Sequence, residues 1–424
     1  MRLTQAELKR RVLIPSLIGN ALEFYDFTLC GVFFNILGKN FFPTTSEFAV
    51  LLGGIFAFSV AFWTRPLGAF VFGYIGDKFG RKTALSLSVL LMGIPTLIIG
   101  CLPTYSSIGL IAPCVLLTCR LMQGLCTGGE YNGVAIFALE HMKIKPGKIS
   151  GMISASCVVG AVSATLIAYI VTNFLKFDQA WRLPFLMGAG IAAIGYILRK
   201  RATETIEFLH MQKINRLPFF EIIKQHPKQY MLAIAAGAFN GILSYTLFGF
   251  LNIYLTQYVK FKVANSLFFN IFGMFAFMVS CLIFGSLADK IQARNSMLLA
   301  GLIAIVTSWG GFLILQTASD LGIFMGQIFI GIGVGAFVGP CHVFLQEQFT
   351  PEVRYTGIAS GFSIGMAITG GSTALIMTYV LQYTQILLAP AIYISSAAVI
   401  WLLILVKYDK KVDEQAKLTT SDCA

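Results

Sequence analysis

Twelve long apolar runs dominate this sequence and restrict what it can fold into. A transmembrane helix needs about 20 consecutive, predominantly apolar residues. Lipid offers the backbone no hydrogen bonds, so helices and closed barrels alone can span it. We therefore expect an all-α integral membrane protein with twelve transmembrane helices. The runs cover residues 12–37, 48–74, 83–102, 108–139, 150–174, 183–199, 229–257, 265–288, 296–315, 321–346, 356–382 and 387–406.

The composition supports this interpretation. Of the 424 residues, 57% are hydrophobic and 12% are charged, and soluble domains carry about 25% charged residues. The nine cysteines show no paired metal-binding spacing, so we expect neither a disulfide framework, a metal site nor a cofactor. The N-terminal segment MRLTQAELKRR is charged and lacks the features of a cleaved signal peptide.

The basic residues are distributed asymmetrically between the two sets of loops. With a cytoplasmic N-terminus, 24 of the 31 Lys and Arg residues fall on the cytoplasmic side and five on the other. The remaining two, Arg65 and Arg120, lie within spans. The positive-inside rule then places both termini in the cytoplasm. The net charge of +12 serves orientation and contact with membrane lipids rather than nucleic-acid binding.

The two halves of the chain resemble each other. GYIGDKFGRK follows the second run, and GSLADKIQAR follows the eighth, about 212 residues later. Segments of the fourth and tenth runs, and of the first and seventh, match at similar offsets. We predict two repeats of one six-helix unit. The predicted parts are an N-terminal bundle at 1–200, a linker at 201–228, a C-terminal bundle at 229–406 and a short tail at 407–424.

Several motifs resemble those of a known family. GYIGDKFGRK is similar to the loop signature of the major facilitator superfamily, Gly-x-x-x-Asp-Arg/Lys-x-Gly-Arg-Arg/Lys. Four further segments resemble the metabolite:proton symporter group of this superfamily, and its proline/betaine transporters above all. They are GNALEFYDF, RPLGAFVFG, RLMQGLCTGGEYNG and WRLPFL.

This resemblance implies a secondary active transporter of the plasma (bacterial inner) membrane rather than an enzyme. It would carry a small osmolyte, amino acid or organic acid together with protons, by alternating access and as a monomer. Two alternatives remain open. One is an uncoupled facilitator, and the other is a membrane receptor on the same scaffold.

Glu23 and Asp26 lie in the middle of the first span. A carboxylate at a helix centre in lipid costs roughly 2.5 kcal/mol or more. One interpretation is proton coupling, because a carboxyl group in a cavity of low dielectric binds a proton more readily than one in water. The other is a permanent salt bridge with Arg120, which we expect at a similar depth.

Further polar residues within the spans are predicted to contact substrate or to pair. Arg120 either binds a substrate carboxylate or balances the first span. Arg65 and Glu130 are expected to pair with each other in a structural or gating role. Additional candidates for substrate contact are Asn20, Tyr25, Asn240, Tyr245 and Gln327.

Asp77 and Arg81 belong to the loop signature, and Asp289 recurs at the matching position of the second half. A carboxylate beside helix ends can bind helix N-termini and basic side chains. The resemblance implies a latch that stabilises one access state. His342, near the end of the tenth run, is either a packed core residue or a proton relay.

Overall fold

The computed structural model describes residues 8–42, 47–175, 177, 179–200, 202–211, 218–261 and 263–408, and these ranges are helical with no strand. Within these ranges, twelve long helices, α1 to α12, follow one another along the chain. They are Ile14–Val32, Glu47–Lys78, Arg81–Cys101, Ile111–His141, Pro146–Phe174, Arg182–Lys200, Pro227–Tyr245, Val263–Ile291, Ala293–Leu315, Asp320–Gln348, Arg354–Thr384 and Ala389–Tyr408.

The helices confirm a multi-pass membrane protein. In the described ranges, ten of them are long and apolar enough to cross a membrane, and an eleventh candidate is α1 together with the short helix Phe34–Phe41, bent by 61°. The remaining predicted span corresponds to α2, which is 32 residues long. α7 continues through two π-helical turns to Tyr258.

The packing of the helices confirms the repeat. In the first half α1 packs on α5, α2 on α4 and α3 on α6. In the second half α7 packs on α11, α8 on α10 and α9 on α12. The halves meet through α5 against α8 and α2 against α11. Each pairing therefore has its counterpart six helices later, as two copies of one unit require.

A close helix crossing joins the halves where α5 meets α8. A Cβ on Gly151 would lie 2.3 Å from the carbonyl oxygen of Cys281. Small residues permit such backbone approach in membranes, where packing rather than hydrophobicity drives helix association. The two hydroxyls of Ser150 and Ser154, on the same helix, donate to the carbonyls of Gly339 at 2.5 Å and Val338 at 3.1 Å.

The segment between the halves contains two short helices, Ile206–His210 and Pro218–Gln225. Glu204, just before the first, accepts the backbone N–H of Lys82 at 3.1 Å. Phe219 of the second packs edge-on against Phe70 of α2, with ring centroids 4.9 Å apart. The linker therefore packs against the loop signature and α2.

Replacing Gly151 with Ala should destabilise the contact between the halves. The added methyl group meets backbone rather than a movable side chain, and such overpacking typically costs about 1–3 kcal/mol. Thermal unfolding of the purified protein in detergent should show a lower midpoint than wild type. Gly371→Ala is the matched control, because no atom lies within 4 Å of its added Cβ. An unchanged midpoint for Gly151→Ala would contradict the close crossing.

Candidate functional site

Asp77 binds the beginning of α11 in the other half of the molecule. Its carboxylate accepts the backbone N–H groups of Tyr355 at 3.1 Å and Thr356 at 2.8 Å. Arg81 lies 3.3 Å from the same carboxylate, and both side chains are fully buried. The free N–H groups and the dipole of a helix N-terminus favour a negative charge at this position.

Asp289 makes the same contact in the opposite direction. Its two carboxylate oxygens accept the N–H groups of Gly147 at 2.6 Å and Lys148 at 2.9 Å, at the beginning of α5. The two aspartates therefore form a symmetric pair of latches, each reaching from one half to a helix N-terminus of the other. We call the side of the molecule that carries them the basic face, since the Lys- and Arg-rich loops lie there.

Glu140 and Arg354 complete the first latch, and neither is among the site residues predicted from the sequence. Glu140 Oε1 lies 2.9 Å from Arg354 Nη1, across the boundary between the halves. Glu140 Oε2 lies 3.3 Å from Arg81 Nε. Arg81 also donates to the carbonyl of Pro351 at 2.5 Å. The one available signal was that the matching segments of the fourth and tenth runs both end in Glu.

Asp26 and Arg120 belong to one hydrogen-bonded chain inside the first half. Thr96 donates to Asp26 Oδ2 at 2.6 Å and accepts from Gln123 at 2.8 Å. Gln123 in turn accepts from Arg120 Nη1 at 2.8 Å, and Arg120 Nε donates to the carbonyl of Ala57 at 3.0 Å. Asp26 and Arg120, which were predicted to lie at a similar depth, are therefore linked through the Thr96 hydroxyl and the Gln123 amide.

Glu23 lies in a different environment from Asp26, although the two are three residues apart. It is 2% exposed, and its Oε2 is buried without a hydrogen-bond partner among the described residues. The charged groups that act on it are Glu130, Arg65 and Arg199. Glu23 is therefore a buried acid among other charges.

The predicted pairing of Glu130 with Arg65 is wrong. Glu130 Oε1 lies 2.5 Å from Arg199 Nη1, in a buried ion pair between α4 and α6. Arg199 is the last residue of the sixth run, and its side chain turns into the bundle and also donates to the carbonyl of Leu85 at 2.9 Å. Arg65 faces another direction. The sequence gives the depth of a residue along its helix but not its rotation about the helix axis, and the wrong partner was predicted for that reason.

Arg65 lies in an aromatic cluster that reaches the second half. Its guanidinium carbon is 4.7 Å from the ring centroid of Phe27 and 4.6 Å from that of Phe62. The Phe62 ring is 5.6 Å from that of Tyr245 on α7. Arg65 Nε is buried without a hydrogen-bond partner in the described ranges. We call Arg65, Phe27, Phe62 and Tyr245 the aromatic–arginine cluster.

Three of the predicted substrate contacts are engaged within their own halves. Asn20 donates to α5 at 2.8 to 3.2 Å, and the Tyr25 hydroxyl donates to a carbonyl of α6 at 2.9 Å. Gln327 accepts from the amide of an α8 asparagine at 2.9 Å. Asn240 Oδ1, like Asn20 Oδ1, is buried without a partner among the residues described.

His342 contacts the first half through Tyr131. Their ring centroids are 4.7 Å apart, in an edge-on arrangement. The imidazole is 2% exposed, and neither ring nitrogen has a hydrogen-bond partner within the described part of the chain. In that same part, no group of three or more His, Cys, Asp and Glu side chains is arranged to hold a metal ion.

Comparison with known proteins places these features in a family. Residues 16–361 match the Major Facilitator Superfamily. A protein of Staphylococcus aureus strain COL named "Putative proline/betaine transporter" is 30% identical, over 96% of this chain and 89% of its own. The "Proline/betaine transporter" of Escherichia coli K12 is 29% identical, over 93% and 82%.

Two solved structures share the fold. The proton:xylose symporter XylE superimposes with a TM-score of 0.76 at 14% identity, covering 96% of both chains. A bacterial homologue of the iron transporter ferroportin, in an outward-facing state, gives 0.71 at 16% identity, over 94% of this chain and 99% of its own.

Replacing Asp77 with Ala should release the N-terminus of α11. Hydrogen bonds to a charged group contribute about 1.5–3 kcal/mol, so the amides of Tyr355 and Thr356 should exchange with deuterium at least tenfold faster. Hydrogen-exchange mass spectrometry in nanodiscs measures this directly. Asp289→Ala is the matched variant and should act on Gly147 and Lys148 instead. Unchanged exchange at the helix that each aspartate contacts would contradict the latches.

Proposed function

Because the chain belongs to the Major Facilitator Superfamily, and is a transporter rather than an enzyme, we propose that it takes up a small osmolyte, amino acid or organic acid together with protons. Proline- and betaine-like zwitterions are the first candidates, since the curated relatives carry those names. A proton symporter shares the fold. The observation that carries the proposal is the buried, incompletely paired carboxyl group of Glu23.

Glu23 is the proposed proton carrier of the coupling step. A buried carboxylate oxygen without a hydrogen-bond partner is costly when charged, and a neutral carboxyl group suits that position better. Access of water to Glu23 from one side and then from the other would load and release the proton. Asp26 accepts a hydrogen bond from the Thr96 hydroxyl on Oδ2, although its Oδ1, like Glu23 Oε2, is buried without a partner in the described ranges.

The aromatic–arginine cluster is the proposed substrate contact. The guanidinium of Arg65 can bind a carboxylate with two parallel hydrogen bonds, and its Nε has no partner within the described ranges. Tyr245 offers an aromatic face, which attracts an ammonium or quaternary ammonium group, and Asn240 offers an amide. We assign this role to Arg65 rather than to Arg120, which is bonded to Gln123 and to the α2 backbone.

The basic face is proposed to be the cytoplasmic face, with both termini on that side. The two aspartate latches and the Glu140–Arg354 ion pair then hold the molecule closed toward the cytoplasm. Release of both helix N-termini would let the halves separate there. The symmetric arrangement suits alternating access, because each half holds the other in the same way.

Replacing Glu23 with Gln should abolish proton-driven accumulation and leave exchange intact. Uptake into proteoliposomes under an inward proton gradient should fall to simple equilibration, because the amide cannot carry a proton. Counterflow, which moves substrate against substrate, should stay within about threefold of wild type. The assay begins with a panel of labelled proline, glycine betaine, α-ketoglutarate, shikimate and citrate.

Asp26→Asn is the matched control for a lost buried charge in the same helix, and it should still accumulate substrate. Loss of accumulation in Asp26→Asn alone would assign the proton to Asp26. Full accumulation in both variants, or equilibration by the wild type, would favour the uncoupled facilitator.

Replacing Arg65 with Lys should weaken substrate binding, because an ammonium group lacks the planar fork of a guanidinium. The KM for the transported substrate should rise at least tenfold, with a smaller effect on maximal rate. Arg120→Lys is the comparison and should change KM less than threefold. The reverse order of the two effects would return the carboxylate contact to Arg120.

A further inference from the structure

Glu130 and Arg199 form an ion pair that the proposed coupling at Glu23 does not yet use. Their side chains are 1% and 5% exposed. A buried ion pair contributes little net stability, because desolvation of both charges offsets their attraction. The surroundings of this pair nevertheless contain two further polar contacts that suit a change of protonation.

The first is the Ser88 hydroxyl, which has two acceptors for one proton. Ser88 Oγ lies 3.0 Å from the carbonyl of Leu85 and in a short contact with Glu130 Oε2. When Glu130 is ionised, Ser88 donates to it. When Glu130 carries a proton on Oε2, it donates to Ser88 Oγ, and Ser88 donates to Leu85. Both protonation states of Glu130 are therefore hydrogen-bonded without any movement of the helices.

The second contact is that of Arg199 with α1. Its Nη2 is buried without a hydrogen-bond partner among the described residues. It lies against Gly19, where an added Cβ would be only 1.8 Å away. Gly19 and Glu23 are four residues apart, so they lie on one face of the helix, one turn from each other. The absence of a side chain at Gly19 leaves Arg199 a path toward Glu23.

We propose that Glu130 is a second proton carrier and that Arg199 is a counterion that exchanges between Glu130 and Glu23. This inference rests on the proposed proton coupling at Glu23. In the state described here, Glu23 holds the proton and Arg199 pairs with ionised Glu130. The proton then passes from Glu23 to Glu130 Oε2, and Arg199 moves to the newly ionised Glu23. The net charge of the three groups is zero before and after.

Glu130 then releases the proton to water on the basic face. Tyr355 stands over this route, because its hydroxyl donates to the carbonyl of Gly129 at 3.0 Å and its ring lies against Gly133. Asp77 holds the backbone of Tyr355, so opening of the latch would uncover Glu130. The titratable and charged groups around Glu130 and Glu23 include Arg65 on α2, Cys126 on α4, Cys157 on α5, Arg199 on α6 and Tyr355 on α11.

Glu130→Gln tests the proposal in proteoliposomes. Proton-driven accumulation of the transported substrate should fall at least tenfold, and counterflow should stay within about threefold of wild type. A structural ion pair predicts something else. Glu130→Gln would then leave Arg199 buried without its partner, and accumulation and counterflow would fall together.

The double variant Glu130→Gln with Arg199→Gln separates the two explanations. It removes both charges at once, so a structural role predicts recovery of accumulation and counterflow. The proton-carrier role predicts intact counterflow with accumulation still lost. Recovery of accumulation in the double variant would overturn the proposal.

Gly19→Ala tests the path of Arg199. The methyl group should push the guanidinium away from α1 and lower accumulation at least fivefold without changing counterflow. Gly190→Ala, on the same helix as Arg199, is the control, because its added Cβ meets nothing within 4 Å. Equal behaviour of the two variants would overturn the exchange.

The wild type distinguishes this inference from the function on which it rests. If wild-type protein accumulates no substrate under the gradient, proton coupling fails and the inference fails with it. If the wild type accumulates substrate and Glu130→Gln does so equally, coupling stands and only the second carrier is excluded.

Discussion

Every charge buried in this helical bundle must find its partner within the protein, because lipid supplies none. Most of the buried charges obey this constraint closely. Asp77 binds a helix N-terminus, and Glu140 binds two arginines. Asp26 is linked to Arg120 through neutral groups. Each of these arrangements also joins helices, so the positions of the charges and of the helices determine one another.

Glu23 gives the constraint its functional meaning, because no hydrogen bond to its carboxylate is described and its Oε2, like Asp26 Oδ1, is buried without a partner among the described residues. A buried acid with an unpartnered oxygen costs less in its neutral form than in its charged form, so it suits a group that takes up a proton. The aromatic–arginine cluster shows a similar feature among the bases, since Arg65 rests on two ring faces with its Nε unbonded in the described ranges. Substrate and proton would therefore bind at the charged groups that have buried polar atoms without hydrogen-bond partners. The fully satisfied groups hold the scaffold and the latches.

The sequence predicts the helices and the latch aspartates well, for a clear physical reason. Apolar run length sets the spans, and an internal repeat identifies Asp289 once Asp77 is recognised. Pairings such as Glu130 with Arg199 could not be predicted in this way. The rise of about 1.5 Å per residue gives depth, but the choice of partner depends on helix rotation and neighbours. Arg199 was missed for a related reason, since a basic residue in the last turn of a span usually marks a loop.

The asymmetry between the halves follows from where charge is tolerated. Both halves keep the same helix pairings and the same latch. Inside the second half, however, Gln327 occupies the position that matches Arg120 of the first half. Gln327 binds α8 much as Arg120 binds α2. A neutral amide preserves the contact between helices without a second buried charge. The contact between helices that both halves share is part of the fold. The charged residues present only in the first half are the ones that proton coupling would require. The two halves can therefore move as equivalent bodies while only one of them carries the ionisable groups Glu23, Asp26 and Glu130.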